Sequence, residues 1–179
     1  QASAQKLIDQ ATEYLGKPLD STTNTPKINI IPDNGRQTVA DYGETLGIIL
    51  RLNKSTNSTN EINILGEALN GGGSEKLNEL QDAIVVYEKL RSDLSKMPVP
   101  KTFVKAHTDV LIGMQNIIFG LKEMKNVLDD PFRGLQGLQI YQAGGTLFTQ
   151  AMKANVEFIK QNKIVYKQGS GGYYLLYGI

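Results

Sequence analysis

His107 is the residue best placed to do chemistry, and it is the only histidine in a chain of 179 residues that also lacks cysteine. A histidine can act as general base or metal ligand when neutral and as general acid when protonated. Each role needs a partner, and Lys105 and Asp109, two residues away on either side, face elsewhere on a helix. A hydrogen-bonded core histidine is therefore the expectation. With one His and no Cys, a His-dominated metal site, a thiolate zinc site, disulfides and thiol chemistry are all excluded. The pair Asp129-Asp130 could meet a cation, but Pro131 behind it fits a helix cap followed by a first-turn proline better. Gly71-Gly72-Gly73 and Gly169-Ser170-Gly171-Gly172 lack the lysine and strand-to-helix setting of a phosphate loop and read as turns. No serine lies in a nucleophile-elbow pattern. We expect no enzymatic activity, no cofactor and no metal site.

What must position His107 is a long amphipathic helix over residues 100–128. Phe103, His107, Val110, Met114, Ile117, Leu121, Met124 and Leu128 recur at alternating spacings of four and three, one stripe of a helix that packs into a core. Val104, Leu111 and Ile118 form a second apolar row, which suits a helix clasped by several neighbours. Ala106, Gly113 and Gly120 form a third row of small residues. Glycine there gives up about 1 kcal/mol of helix propensity, and in return lets another backbone come close.

The remaining segments arrange themselves around this spine. Residues 3–15 predict a first helix, capped by Ser3 and stopped at Gly16. Residues 27–31 alternate as a short strand would, and Pro32-Asp33-Asn34-Gly35 is turn chemistry. Val39, Tyr42, Leu46 and Ile49 mark a helix ending near Leu52. Thr59 or Asn60 can cap a short helix through Leu69. Leu77, Leu80, Ile84, Tyr87 and Leu94 mark another, to about Lys96, which Met97-Pro98-Val99-Pro100 must break. A last helix is expected over residues 131–161. Residues 163–167 alternate, 168–172 form a glycine-rich turn, and 173–177 form an apolar run, together a predicted C-terminal β-hairpin. The fold class is thus mainly α: one domain over residues 1–179, an antiparallel helical bundle with a small C-terminal β-hairpin at 163–179.

The formal net charge of +1 gives no electrostatic case for a nucleic-acid partner. Nor does any run qualify as a transmembrane segment: residues 134–152 are uncharged but interrupted by glycines and by Gln136, Gln139, Gln142 and Gln150. Two acceptor sequons begin at Asn53 and Asn57. Gln1 in first position is compatible with a processed product preceded by a signal or anchor.

The segment 97–142 resembles uncharacterised exported helical proteins of small-genome, candidate-phylum bacteria. The likeness rests on Val99-Pro100 before a long helix, on His107, on residues 124–130 followed by Pro131, and on Leu138 with Tyr141-Gln142. It implies an extracytoplasmic location, secreted, periplasmic or at the cell surface, and identifies no active site.

Two functions remain open at this point. The first is a non-enzymatic structural protein that assembles with copies of itself, as a homo-oligomer or polymer such as a surface filament or surface-layer subunit. Its contacts are expected at Tyr173, Tyr174, Leu175, Leu176, Tyr177 and Ile179 of the hairpin and at Gly137, Tyr141, Gly144 and Phe148 of the uncharged helix, because an open apolar strand edge recruits other chains. The second is a monomeric binding module or secretion-associated adaptor, with a groove between helices for a peptide or small ligand whose identity the residues leave open.

Overall fold

The computed structural model describes residues 26–54 and 60–178. The expected helix at 3–15, the sequon at Asn57 and the contact residue Ile179 lie outside the described residues. Within them the protein is mainly helical, with one short sheet. Strand β1 (Asn29–Ile31) leads into α1 (Arg36–Leu52). Then come α2 (Glu61–Glu67), α3 (Gly73–Asn78) and α4 (Leu80–Lys96). Strand β2 (Pro98–Pro100) precedes a 3-10 turn (Lys101–Phe103) and α5 (Val104–Met124), followed by α6 (Pro131–Gln161) and α7 (Gly171–Tyr177).

Local chemistry sets most of these boundaries. The Asn60 side chain caps α2 by accepting from the Ile62 N–H at 2.8 Å. The chain then kinks (Ala68–Gly72), where Asn70 and Gly71 leave helical angles and Gly71 takes φ 108°, a backbone angle open to glycine and poorly tolerated elsewhere. Asp130 caps α6 by accepting from the Arg133 N–H at 3.0 Å, and Pro131 occupies the first turn, where its missing N–H costs nothing.

Helices α5 and α6 form the central pair. A Cβ added at Gly113 would meet the Phe148 N and the Gly144 O, one at Gly120 the Tyr141 N and the Gly137 O, and one at Gly134 the Val127 side chain. Residue numbers fall along α6 as they rise along α5, so the two run antiparallel with their backbones nearly touching. Gly113 and Gly120 of the small-residue row thus receive the neighbouring backbone that their spacing predicts. From Phe103 to Met124 the spine stripe is buried in two adjoining clusters, one around Tyr42, Leu46, Leu94, Met114 and Ile159, the other around Leu65, Leu80, Ile84 and Leu121. Leu128 departs from the expectation. The helix ends at Met124, the turn carries Leu128 outward to 44% exposure, and Val127 takes the inward place against Gly134.

The C-terminal β-hairpin is corrected. β1 and β2 are the strands among the described residues; they pair in parallel, with Ile30 opposite Val99, so residues 29–31 do form a strand but not beside the C-terminal segment. Tyr173, Tyr174, Leu175, Leu176 and Tyr177 lie on α7 instead. An unbroken apolar run has no period to separate strand from helix, so its neighbours decide. Ser170 caps the helix by accepting from the Tyr173 N–H at 3.2 Å, while the Glu44 carboxylate accepts from the Gly171 and Gly172 N–H groups at 2.8 Å each. Those bonds satisfy amides that a helical start leaves unpaired and a strand would leave for a partner chain. Gly47 of α1 admits α7, since a side chain there would land on the Gly171 carbonyl. Partial burial raises the Glu44 pKa, but the two glycine N–H groups, the Ser170 hydroxyl and Arg51 outweigh it and hold the carboxyl below its usual value.

Candidate functional site

The most connected polar group in the core lies where α1, α4, α5 and α6 meet. His107 is fully buried; its Nε2 is 3.0 Å from the Leu94 carbonyl oxygen at the end of α4, and its Nδ1 is 3.0 Å from the Tyr42 hydroxyl. The carbonyl can only accept, so Nε2 carries the proton and Nδ1 is the acceptor for Tyr42. Burial lowers the His107 pKa despite the Leu94 bond, which favours the neutral ring, and burial raises the Tyr42 pKa, which keeps the phenol protonated. Tyr42 also stacks on Phe103 with ring centroids 4.0 Å apart.

Asn155 of α6 completes the group. Its Oδ1 lies 3.3 Å from the Tyr42 hydroxyl, and its Nδ2, fully buried, has no hydrogen-bond partner. An unpaired buried amide end costs about 1–3 kcal/mol. Asn155 belongs to the wall of a recess of about 350 Å³ between the start of α5 and the second half of α6. Phe103 and Phe158, edge to face at 5.0 Å, make its aromatic side, and Ala106, Ala151 and Ala154 keep it open. The small-residue row therefore splits in role: α6 backbone covers Gly113 and Gly120, whereas Ala106 borders empty space. At the rim Lys105 and Asp109 are paired at 2.8 Å.

A second hollow of about 610 Å³ lies across α6, between Tyr87, Met114, Ile117, Tyr141 and Phe148. Tyr87 and Tyr141 both donate to Glu61, at 2.9 and 3.1 Å, so one carboxylate fastens α2 to α4 and α6. Burial and that carboxylate raise both phenol pKa values. Every polar group in this clasp is satisfied.

The residues expected at an assembly surface are scattered. Gly137 and Gly144 are corrected: both are buried against α5, as its close approach requires. Tyr141 and Phe148 are half-buried, the former committed to Glu61. Tyr173, Tyr174, Leu175 and Leu176 are half-buried on α7, and Tyr177 is 58% exposed. Asn53, the first sequon residue, is 8% exposed; its amide donates to the Ile49 carbonyl and to Asp93 and accepts from Lys89, which removes it as a glycan acceptor in the folded chain. Spacing alone does not single out Tyr42 as a partner of His107, nor Asn155 as a partner of Tyr42. A signal is nevertheless present: Asn155 is a polar residue at a buried position in the same row as Ala151 and Ile159, four residues to either side.

No group of three or more His, Asp or Glu gathers among the described residues to hold a metal ion, and no helix there is long and apolar enough to cross a membrane. No protein-family model, curated protein or solved structure matches the chain.

Proposed function

We propose that this chain is a non-enzymatic, extracytoplasmic binding module built as an antiparallel helical bundle, with the recess beside Asn155 as the site for a small, largely apolar molecule. The observation that carries the proposal is the recess itself, lined mainly by Phe103, Ala106, Leu147, Ala151, Ala154 and Phe158. Few convergent polar groups on an apolar wall, within a volume of this order, are the common form of a small-ligand site. The extracytoplasmic placement is supported by the resemblance over residues 97–142. Titrating the isotope-labelled chain with single-ring and two-ring aromatic fragments is expected to give saturable amide shifts clustered at Ala106, Ala151 and Asn155, and Ala154→Phe is expected to abolish them. Unsaturable or scattered shifts would refute the site.

A second reading is self-assembly, favoured by the outer face of α6. Between Gly134 and Met152 that helix carries no charge, and it exposes Leu135, Gln139, Gln142, Ala143, Thr146 and Gln150. A filament or surface-layer subunit could stack through such a face, since no like charges repel there. Sedimentation velocity across a wide concentration range decides this: self-association that Ala143→Lys abolishes supports it, and a monomer at every concentration eliminates it.

A further inference from the structure

We propose that the hollow bordered by Tyr87, Tyr141 and Phe148 is a second site, independent of the recess beside Asn155, and that it takes the trimethylammonium group of a choline-like cation. Aromatic side chains from α4 and α6 meet there beside Met114 and Ile117 of α5, and all three are half-buried, so each still presents surface to the hollow. The ring pairs among the described residues lie elsewhere, between Tyr42, Phe103, His107 and Phe158 and within α7, so no other ring covers these three. An aromatic ring carries negative charge density on its face and attracts a cation seated within about 6 Å of its centre.

Charge decides which occupant fits. None of the described residues lining the hollow is charged, so its rim of Gln142, Thr146, Thr149 and Gln150 does not repel a cation. At the hydroxyl end of two of the rings sits one anion. Glu61 accepts from the Tyr87 and Tyr141 hydroxyls at 2.9 and 3.1 Å, and no basic side chain among the described residues pairs with it. Burial first, and this carboxylate after it, keep both phenols protonated, so they remain its donors and their rings are the richer in electrons for it. Arg91, one turn along α4 from Tyr87, lies outside the lining and donates to Gln115 of α5 at 3.1 Å. With both phenolic protons committed to Glu61, the rings have none to offer an anion. Nor does the lining hold a carboxylate to replace the water around a primary ammonium. A fully methylated ammonium, with no N–H and a weak hold on water, loses least on entering.

Choline and neohexanol are matched probes, alike in shape but with a cationic nitrogen in one and a neutral carbon in the other. Titrated into the isotope-labelled chain, choline is expected to give saturable amide shifts centred on Tyr141, Gly145 and Thr149, and to bind about tenfold tighter than neohexanol. Ethanolamine, charged but unmethylated, is expected to bind about tenfold more weakly than choline. Glu61→Gln keeps an acceptor for the phenols without the charge, and is expected to erase most of the preference for choline. Gly145 lines the hollow, and an added Cβ there meets nothing within 4 Å, so Gly145→Leu fills the space without touching α5 and is expected to abolish binding of both probes. Should Glu61→Gln fail to fold, Gly145→Leu and the three probes on the native chain decide. Vesicles separate the sources of the group: co-sedimentation with phosphatidylcholine and not with phosphatidylglycerol assigns it to a lipid surface, and co-sedimentation with neither assigns it to a free solute. Equal affinities for choline and neohexanol, a preference intact in Glu61→Gln, shifts centred instead on Ala106 and Ala151, or no saturable shift with choline each overturn the site, and leave the recess beside Asn155 to be judged on its own titration.

Discussion

Gly144→Ala is expected to destabilise the fold by about 2 kcal/mol and Gly144→Val by about 3–5 kcal/mol, while Gly145→Ala, one residue along, is expected to stabilise it by about 0.5–1 kcal/mol. A methyl at Gly144 would sit 2.7 Å from the Ile117 N and 2.8 Å from both the Gly113 O and the Asn116 Cβ. Two of those neighbours are main chain, and they retreat only if α5 and α6 separate along the whole glycine row. The gain in helix propensity from Gly to Ala, about 1 kcal/mol, is smaller than the close packing that Gly113, Gly120 and Gly137 give up when the pair spreads. At Gly145 the added methyl meets nothing within 4 Å, so only the propensity gain remains. Urea denaturation of the three variants measures this directly. The informative result is the opposite sign at adjacent positions; a neutral Gly144→Ala would mean that the two backbones are not in contact.

That contrast marks how far the sequence could be read. The row Ala106, Gly113, Gly120 announced a close backbone approach, and Asp130-Pro131 announced the start of α6, because spacing and capping are local properties that survive without tertiary information. Which helix would fill the glycine row was not local. Gly137 and Gly144 therefore looked free to serve other chains, although they are the matching half of the same contact. The C-terminal run failed for a related reason. Glu44 and Gly47, more than a hundred residues upstream, decide that Gly171–Tyr177 is helical. The stripe placed His107 in the core, but its partners Tyr42 and Leu94, and Asn155 beyond Tyr42, come from three other helices, and no spacing within one helix could have joined them.

The second large effect is a loss of stability as pH falls from about 7 to 5, carried by His107 alone. Burial depresses its folded pKa below the unfolded value, so in that window the unfolded chain binds the extra proton. The sign follows: this stabilisation is complete above the unfolded pKa of about 6.5 and drains away as pH drops toward the folded value, with a slope of at most about 1.4 kcal/mol per pH unit for one proton. The assignment is unusually clean, since the chain has one histidine and no cysteine, while Glu44 and Asp93, both held below their ordinary carboxylate values, act only at lower pH. His107→Gln keeps a donor for the Leu94 carbonyl and cannot titrate, so it is expected to flatten the curve between pH 7 and 5. Tyr42→Phe preserves the stacking on Phe103 but strips His107 Nδ1 and the Asn155 amide of their shared partner, at a cost of about 2–4 kcal/mol at pH 7. Because protonation gives Nδ1 a hydrogen that a phenyl ring cannot accept, the variant should also remain sensitive to acid where His107→Gln is not. Denaturation curves at half-unit pH steps separate the three proteins, and a wild-type curve flat from pH 7 to 5 would show that His107 is not buried as a neutral ring.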